Sequence, residues 1–232
     1  MADDARNDTE LKGWGDFSTP FFAARHPEQE RLNAQLSEYF LSLEKQGERY
    51  RNPVKTPSNQ VEIFESPFEL FSWEEPCVQE LRKFCMGHLW QAMATASGYE
   101  AEECRQFRVF VDSWFHVTHF GGYISYHTHP MASWSGVYMV DPGGEPDGKE
   151  LGGVLNFKDP RPHANMYLDP GNRRWQRPYH MGSINYPMQP GELMLFPSFL
   201  QHEVTPYMGR KPRITVAFNC SFRDPKPGSS GA

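Results

Sequence analysis

Several things are scarce in this 232-residue sequence, and each scarcity excludes a class of protein. No apolar run approaches the roughly 20 residues needed to span a bilayer, so no membrane partner is expected. The N-terminus, Met1-Ala2-Asp3-Asp4-Ala5-Arg6-Asn7-Asp8, lacks a basic start and an apolar stretch, which argues against a secretory signal and for a cytoplasmic location. Basic residues are outnumbered, with a formal net charge of −6, and the densest group is only Arg173, Arg174 and Arg177. That is no footprint for nucleic acid. The four cysteines, Cys77, Cys85, Cys104 and Cys220, form no CxxC pair and read as reduced core thiols.

What the chain has in quantity is turn-formers and rings. With 20 Pro, 19 Gly and 17 Phe, it favours a β-rich fold with many turns over a helical bundle. Residues 1–25 read as an irregular arm that Trp14, Phe17, Phe21 and Phe22 could dock. A helix is expected over 27–46, where Leu32, Leu36, Phe40 and Leu43 repeat at helical spacing. A short strand is expected at 61–64 and a second helix over 76–96, ended by Gly98.

From Phe107 the apolar pattern changes to period two. Strands are expected over 107–119, 124–129, 134–140, 153–157, 192–197, 202–206 and 213–221, with Gly121-Gly122 as a turn. Residues 158–182 form a long loop, a candidate lid. The fold class is therefore α+β, mainly β: a jelly roll buttressed by N-terminal helices. Residues 1–106 are expected to form the arm and helical buttress, 107–222 the β core of the same domain, and 223–232 a disordered tail.

The chemistry is concentrated in Tyr126-His127-Thr128-His129-Pro130. Histidines at i and i+2 of a strand project to one side and can share a metal ion, given a third ligand. His202 can supply it. Arg213 and Thr215 follow on a common strand face; arginine offers a bidentate fork for a carboxylate. Three protein ligands leave positions for a 2-oxo acid and dioxygen, while an interior arginine can hold the acid's far carboxylate. His119, just before Gly121-Gly122, could also line the pocket, whereas His116 has the opposite strand parity. Arg161 could reach substrate or anchor its loop to Asp159.

In this order the motifs resemble the Fe(II)/2-oxoglutarate-dependent oxygenases, and within them a group of small oxygenases of marine bacteria and phages. The resemblance rests on His127-Thr128-His129-Pro130, Ser135-Gly136-Val137-Tyr138 and Asn156-Phe157-Lys158-Asp159-Pro160-Arg161. It continues through Gly191-Glu192-Leu193-Met194-Leu195-Phe196-Pro197, His202 and Arg213-Ile214-Thr215, and covers about residues 107–222. It implies a double-stranded β-helix, with Fe(II) as metal and 2-oxoglutarate as co-substrate. It also implies His127 and His202 as iron ligands, Arg213 with Thr215 as the clamp for the co-substrate's C5 carboxylate, and Tyr138 as a further hydroxyl on that carboxylate.

Position 129 departs from the family pattern, which has an acid there. His129 can ligate, swing away in favour of water or an anion, or give way to a carboxylate such as Asp141 or Asp159; ligation is the favoured reading. The reaction implied is a dioxygenase reaction, most simply hydroxylation of an unidentified small-molecule or peptide substrate. Two other classes compete. One is a cupin-like three-histidine dioxygenase or lyase that does not use 2-oxoglutarate. The other is a non-catalytic jelly-roll binding protein. Oligomeric state is open, a homodimer included.

Overall fold

The computed structural model describes residues 15–54, 60–144 and 150–224. The expected disordered tail lies almost wholly outside them, as does Trp14.

The first helix, α1, spans Gln29–Glu44, and Leu32, Leu36, Phe40 and Leu43 are its buried stripe. The second, α2, spans Pro76–Ser97. Proline begins it because the first turn needs no N–H, and Gly98 ends it at φ 72°. One further turn, α3 (Ala101–Cys104), carries a capping box between Glu100 and Glu103.

The strands are β1 (Phe22–Arg25), β2 (Gln60–Glu65), β3 (Arg108–His127), β4 (Trp134–Asp141), β5 (Leu155–Phe157), β6 (Ile184–Tyr186), β7 (Glu192–Pro197), β8 (His202–Val204) and β9 (Arg213–Arg223). They form a curled antiparallel sheet in the order β1-β7-β4-β9-β3-β8-β5-β6, with β2 added along β3. Two of these strands depart from expectation. Residues 22–25, read as part of an irregular arm, pair with β7 and extend the sheet. Residues 184–186 pair with β5. Both are too short to show a period. Phe21 and Phe22 do dock the arm, against Phe157 and Trp134 respectively, whereas Phe17 is exposed.

A third difference is decisive for the site. The expected turn at Gly121-Gly122 is a bend within one continuous strand, β3. Gly121 takes φ 82°, and a Cβ on Gly122 would lie 2.5 Å from Thr118 Cγ2, so the chain bends where side chains are missing. Before the bend β3 pairs with β9; after it, with β8. One strand thus carries the sheet around the barrel.

The helices cover one face of the main sheet. Ile214, Val216, Phe218 and Cys220 of β9 join Phe115, Val117, Tyr138 and the helical stripe residues in the principal core. The alternate residues turn the other way, into the curl. Met139, Leu155, Phe157, Met194 and Phe196 pack there as a second apolar cluster.

Candidate metal and co-substrate site

The three histidines converge. His127 and His202 are direct partners across β3 and β8, and their ring centroids lie 4.3 Å apart. His129 lies just past the end of β3. Its backbone N–H donates to the Ser198 carbonyl at 3.0 Å, and its ring lies 4.9 Å from His127 and 5.0 Å from His202. One potential ligand atom from each residue falls within 4.8 Å of the others.

Ring orientation is fixed from behind. His127 Nδ1–H donates to the Ser125 carbonyl at 2.8 Å, and His202 Nδ1–H to the Leu200 carbonyl at 2.8 Å. That tautomer leaves Nε2 of each ring unprotonated, its lone pair free for a metal, the arrangement metal-bound histidines adopt. Burial is the main force lowering all three pKa values, to about 3 for His129 and His202, and the neighbouring imidazoles add to it. The rings are therefore neutral at physiological pH, as metal ligation requires. A set of three imidazoles suits Fe(II). Among the described residues no carboxylate joins them. Asp141 accepts from the Gly143 N–H, and Asp159 is held by Arg161 and the Gly182 N–H.

The same cavity is lined by Arg213 and Thr215. They sit on the inward face of β9, with Thr118 and His116 of β3 as their register partners. Arg213 is only 3% exposed. No ion pair joins it to a carboxylate of the described residues. Desolvation depresses its pKa to about 10, with Tyr207 opposing. Buried charges are normally paired, because isolating one costs several kcal/mol. The cavity thus presents a cation prepared for an anion.

Arg213 is packed closely. A Cβ on Gly153 would lie 2.8 Å from its Cδ and 3.1 Å from the Tyr207 ring. Tyr207 is fully buried and anchors the surrounding loops. Its hydroxyl donates to the Lys211 carbonyl and accepts from the Gly144 N–H, while its own N–H reaches the Gly122 carbonyl at 2.8 Å. Nothing in the local sequence marks Tyr207, since Gly122 and Gly144 reach it from far along the chain and Lys211, four residues on, meets it only through a backbone carbonyl.

Tyr138 is not at the site. It faces α1 and α2, is 0% exposed, and donates to Asn33 Oδ1 at 2.9 Å. Strand alternation on β4 gives the cavity Ser135 and Val137 and hands Tyr138 to the helices. His119 is likewise outside: it is half-exposed and meets Glu44 at 2.6 Å. His116 lines the cavity in its stead. Arg161 anchors its loop, pairing with Asp159 at 2.8 Å.

Residues 112–219 match the family model described as "Putative 2OG-Fe(II) oxygenase". A search of the curated proteins finds no match. Solved structures give the fold. A prolyl-4-hydroxylase of Pseudomonas putida aligns with TM-score 0.54 at 15% identity, over 89% of this chain and 93% of its own. A prolyl hydroxylase from Trichoplax adhaerens, in complex with a peptide fragment of a hypoxia-inducible factor, gives 0.54 at 12%, over 88% and 83%. The epimerase SnoN of nogalamycin biosynthesis, solved with Fe3+, alpha ketoglutarate and nogalamycin RO, gives 0.56 at 10%, over 93% and 88%. The curled sheet is a double-stranded β-helix.

Proposed function

We propose that the chain, whose residues 112–219 match the 2OG-Fe(II) oxygenase family model, is a member of that superfamily working with Fe(II) and 2-oxoglutarate, and that it is a dioxygenase that hydroxylates a small molecule or peptide. In this proposal His127, His129 and His202 hold the iron, and Arg213 with Thr215 receives the far carboxylate of the co-substrate.

One observation carries the reading. Arg213 is a buried cation with no carboxylate partner among the described residues, and it shares a cavity with three neutral imidazoles. A dianionic 2-oxo acid satisfies both ends: its far carboxylate takes the guanidinium fork, and its other end lies toward the histidines. Neither competing class needs Arg213.

Bound Fe(II) would supply dioxygen activation, coupled to oxidative decarboxylation of 2-oxoglutarate to succinate and CO2. The chain supplies the rest. Strand register places the ligands, Ser125 and Leu200 orient two of the rings, and the apolar wall of Leu155, Phe196 and Val204 limits water. Residues 158–182, which start beside His202 through the Lys158 N–H to Gln201 carbonyl bond, are the proposed lid. Two of the neighbours named above were solved with a peptide fragment and with the small molecule nogalamycin RO, so both substrate classes stay within the proposal.

Anaerobic titration of the Fe(II)-loaded protein with 2-oxoglutarate tests it. A charge-transfer band in the visible is expected. Iron binding without a band would favour the cupin-like class, and absence of iron binding would favour the binding protein.

A further inference from the structure

A second, larger cavity lies one ring away from the histidines. β5 leads into it. Leu155 lines the metal cavity, and Phe157, two residues on and facing the same side, lines the second. Phe157 is the register partner of His202, and the two rings lie 5.7 Å apart. Leu200, whose carbonyl orients the His202 ring, lines the second cavity too. So do Ile184 and Tyr186, the β6 partners of Phe157 and Leu155. The second cavity therefore continues the inner face of the sheet toward its β6 edge.

Room decides what each cavity can take. The metal cavity encloses about 40 Å³, space that the co-substrate would claim whole. The second encloses about 260 Å³, close to the size of small-molecule sites. The N-terminal arm walls one side, with Phe21 edge-on to Phe157 at 5.0 Å. The loop after β5 walls the other. Arm and loop meet at Gly15, where a Cβ would lie 3.3 Å from Pro178 Cγ. The space is thus a pocket held between two segments, not a groove open along its length.

Its lining is of two kinds. Phe21, Phe157, Tyr186, Ile184 and Leu200 are apolar or aromatic, whereas Lys158, Arg161 and Arg177 are permanent cations. The one acid among the lining residues, Asp159, is taken by Arg161 at 2.8 Å. Lys158 and Arg177 pair with no carboxylate of the described residues. The Arg177 guanidinium stands 5.7 Å from the centre of the Tyr186 ring, so cation and apolar wall adjoin. The lining carries two positive charges in excess of its acid.

We propose that this pocket seats the prime substrate, and that the substrate is a small apolar anion such as an aryl or alkyl carboxylate. Its ring or chain rests on the aromatic wall beside Phe157, and its anionic group meets Lys158 and Arg177. This rests on the metal and co-substrate reading above and narrows the substrate to the small-molecule class.

The test uses 4-phenylbutanoate as probe and 4-phenylbutanamide as its uncharged counterpart. Binding is followed by proton NMR on the full chain with 2-oxoglutarate and Mn(II), a paramagnetic stand-in for Fe(II), against a diamagnetic Zn(II) control. The acid should bind, its proton lines should broaden with Mn(II), and the amide should bind about tenfold more weakly. Lys158→Gln and Arg177→Gln should each weaken the acid about threefold and leave the amide as it was. Ile184→Trp, which fills the pocket, should abolish probe binding and leave 2-oxoglutarate affinity unchanged. If that variant does not fold, the two surface variants decide. Equal binding of acid and amide, an acid affinity unmoved in both surface variants, or binding without Mn(II) broadening would each overturn the proposal. A parent chain that shows the 2-oxoglutarate charge-transfer band with Fe(II) but does not bind the acid overturns the pocket alone. A parent chain that holds no metal overturns the pocket together with the function on which it rests.

Discussion

Along β9, neighbouring residues face two different solvents. Ile214, Val216, Phe218 and Cys220 look outward, where α1 and α2 cover them in a core of rings and aliphatic chains. Arg213, Thr215, Ala217 and Asn219 look inward, into a cavity shared with three histidines. The two faces are a residue apart yet are built on opposite rules. The outer face gains stability chiefly by burying rings and aliphatic chains, with the Tyr138–Asn33 bond as a polar contact within it. The inner face gives up stability to hold three desolvated imidazoles and a buried guanidinium that no carboxylate of the described residues pairs. Such a cost persists where function needs it. The difference teaches where to look in this fold: the site is on the sheet face the helices leave uncovered.

Substitutions on the two faces should therefore have opposite consequences. The largest effect is expected on the outer face. Phe218 is fully buried and fills the space left by Gly136, where a Cβ would lie 2.2 Å from its ring. Phe218→Ala should cost about 3–5 kcal/mol of stability in urea denaturation. Arg213→Met, on the inner face, should leave urea stability unchanged or raised, since it removes a buried charge of similar length. The same variant should lose about 2–3 kcal/mol of 2-oxoglutarate binding in anaerobic titration, the scale of charge-assisted bonds. A stability loss as large as that of Phe218→Ala would erase the contrast between the faces. The smallest effect sharpens the boundary between them. Tyr138→Phe should cost about 1 kcal/mol of stability, because Asn33 loses its partner, and leave 2-oxoglutarate affinity as it was. A weakened co-substrate would return Tyr138 to the cavity.

Much of this was legible in the chain. His127, His129, His202, Arg213 and Thr215 are chemically unusual residues at spacings that strand geometry makes meaningful, and the structure gathers all five about one cavity. The two long helices declare themselves through apolar periodicity and a terminal glycine. Legibility fails where partners are far apart in sequence. Glu65 meets His116 from 51 residues away, and the turns that Tyr207 holds are joined only by folding. It also fails where parity must be counted across an irregularity. Tyr138 belongs to a motif whose other members line the cavity, yet alternation turns it outward. His119 sits at the bend of β3, where Gly121-Gly122 imitates a turn between two strands. The short strands β1 and β6 carry too few residues to show a pattern and owe their extended form to β7 and β5.

In the proposed role, the buried charge of Arg213 receives the far carboxylate of a 2-oxo acid. The most direct measurement compares the Fe(II)-loaded parent protein's affinity for 2-oxoglutarate with its affinity for 2-oxopentanoate, which has the same chain length but lacks that carboxylate. Loss of the guanidinium pair should make 2-oxopentanoate weaker by about 2–3 kcal/mol, on the order of a hundredfold. Equal affinity for the two acids would contradict the account.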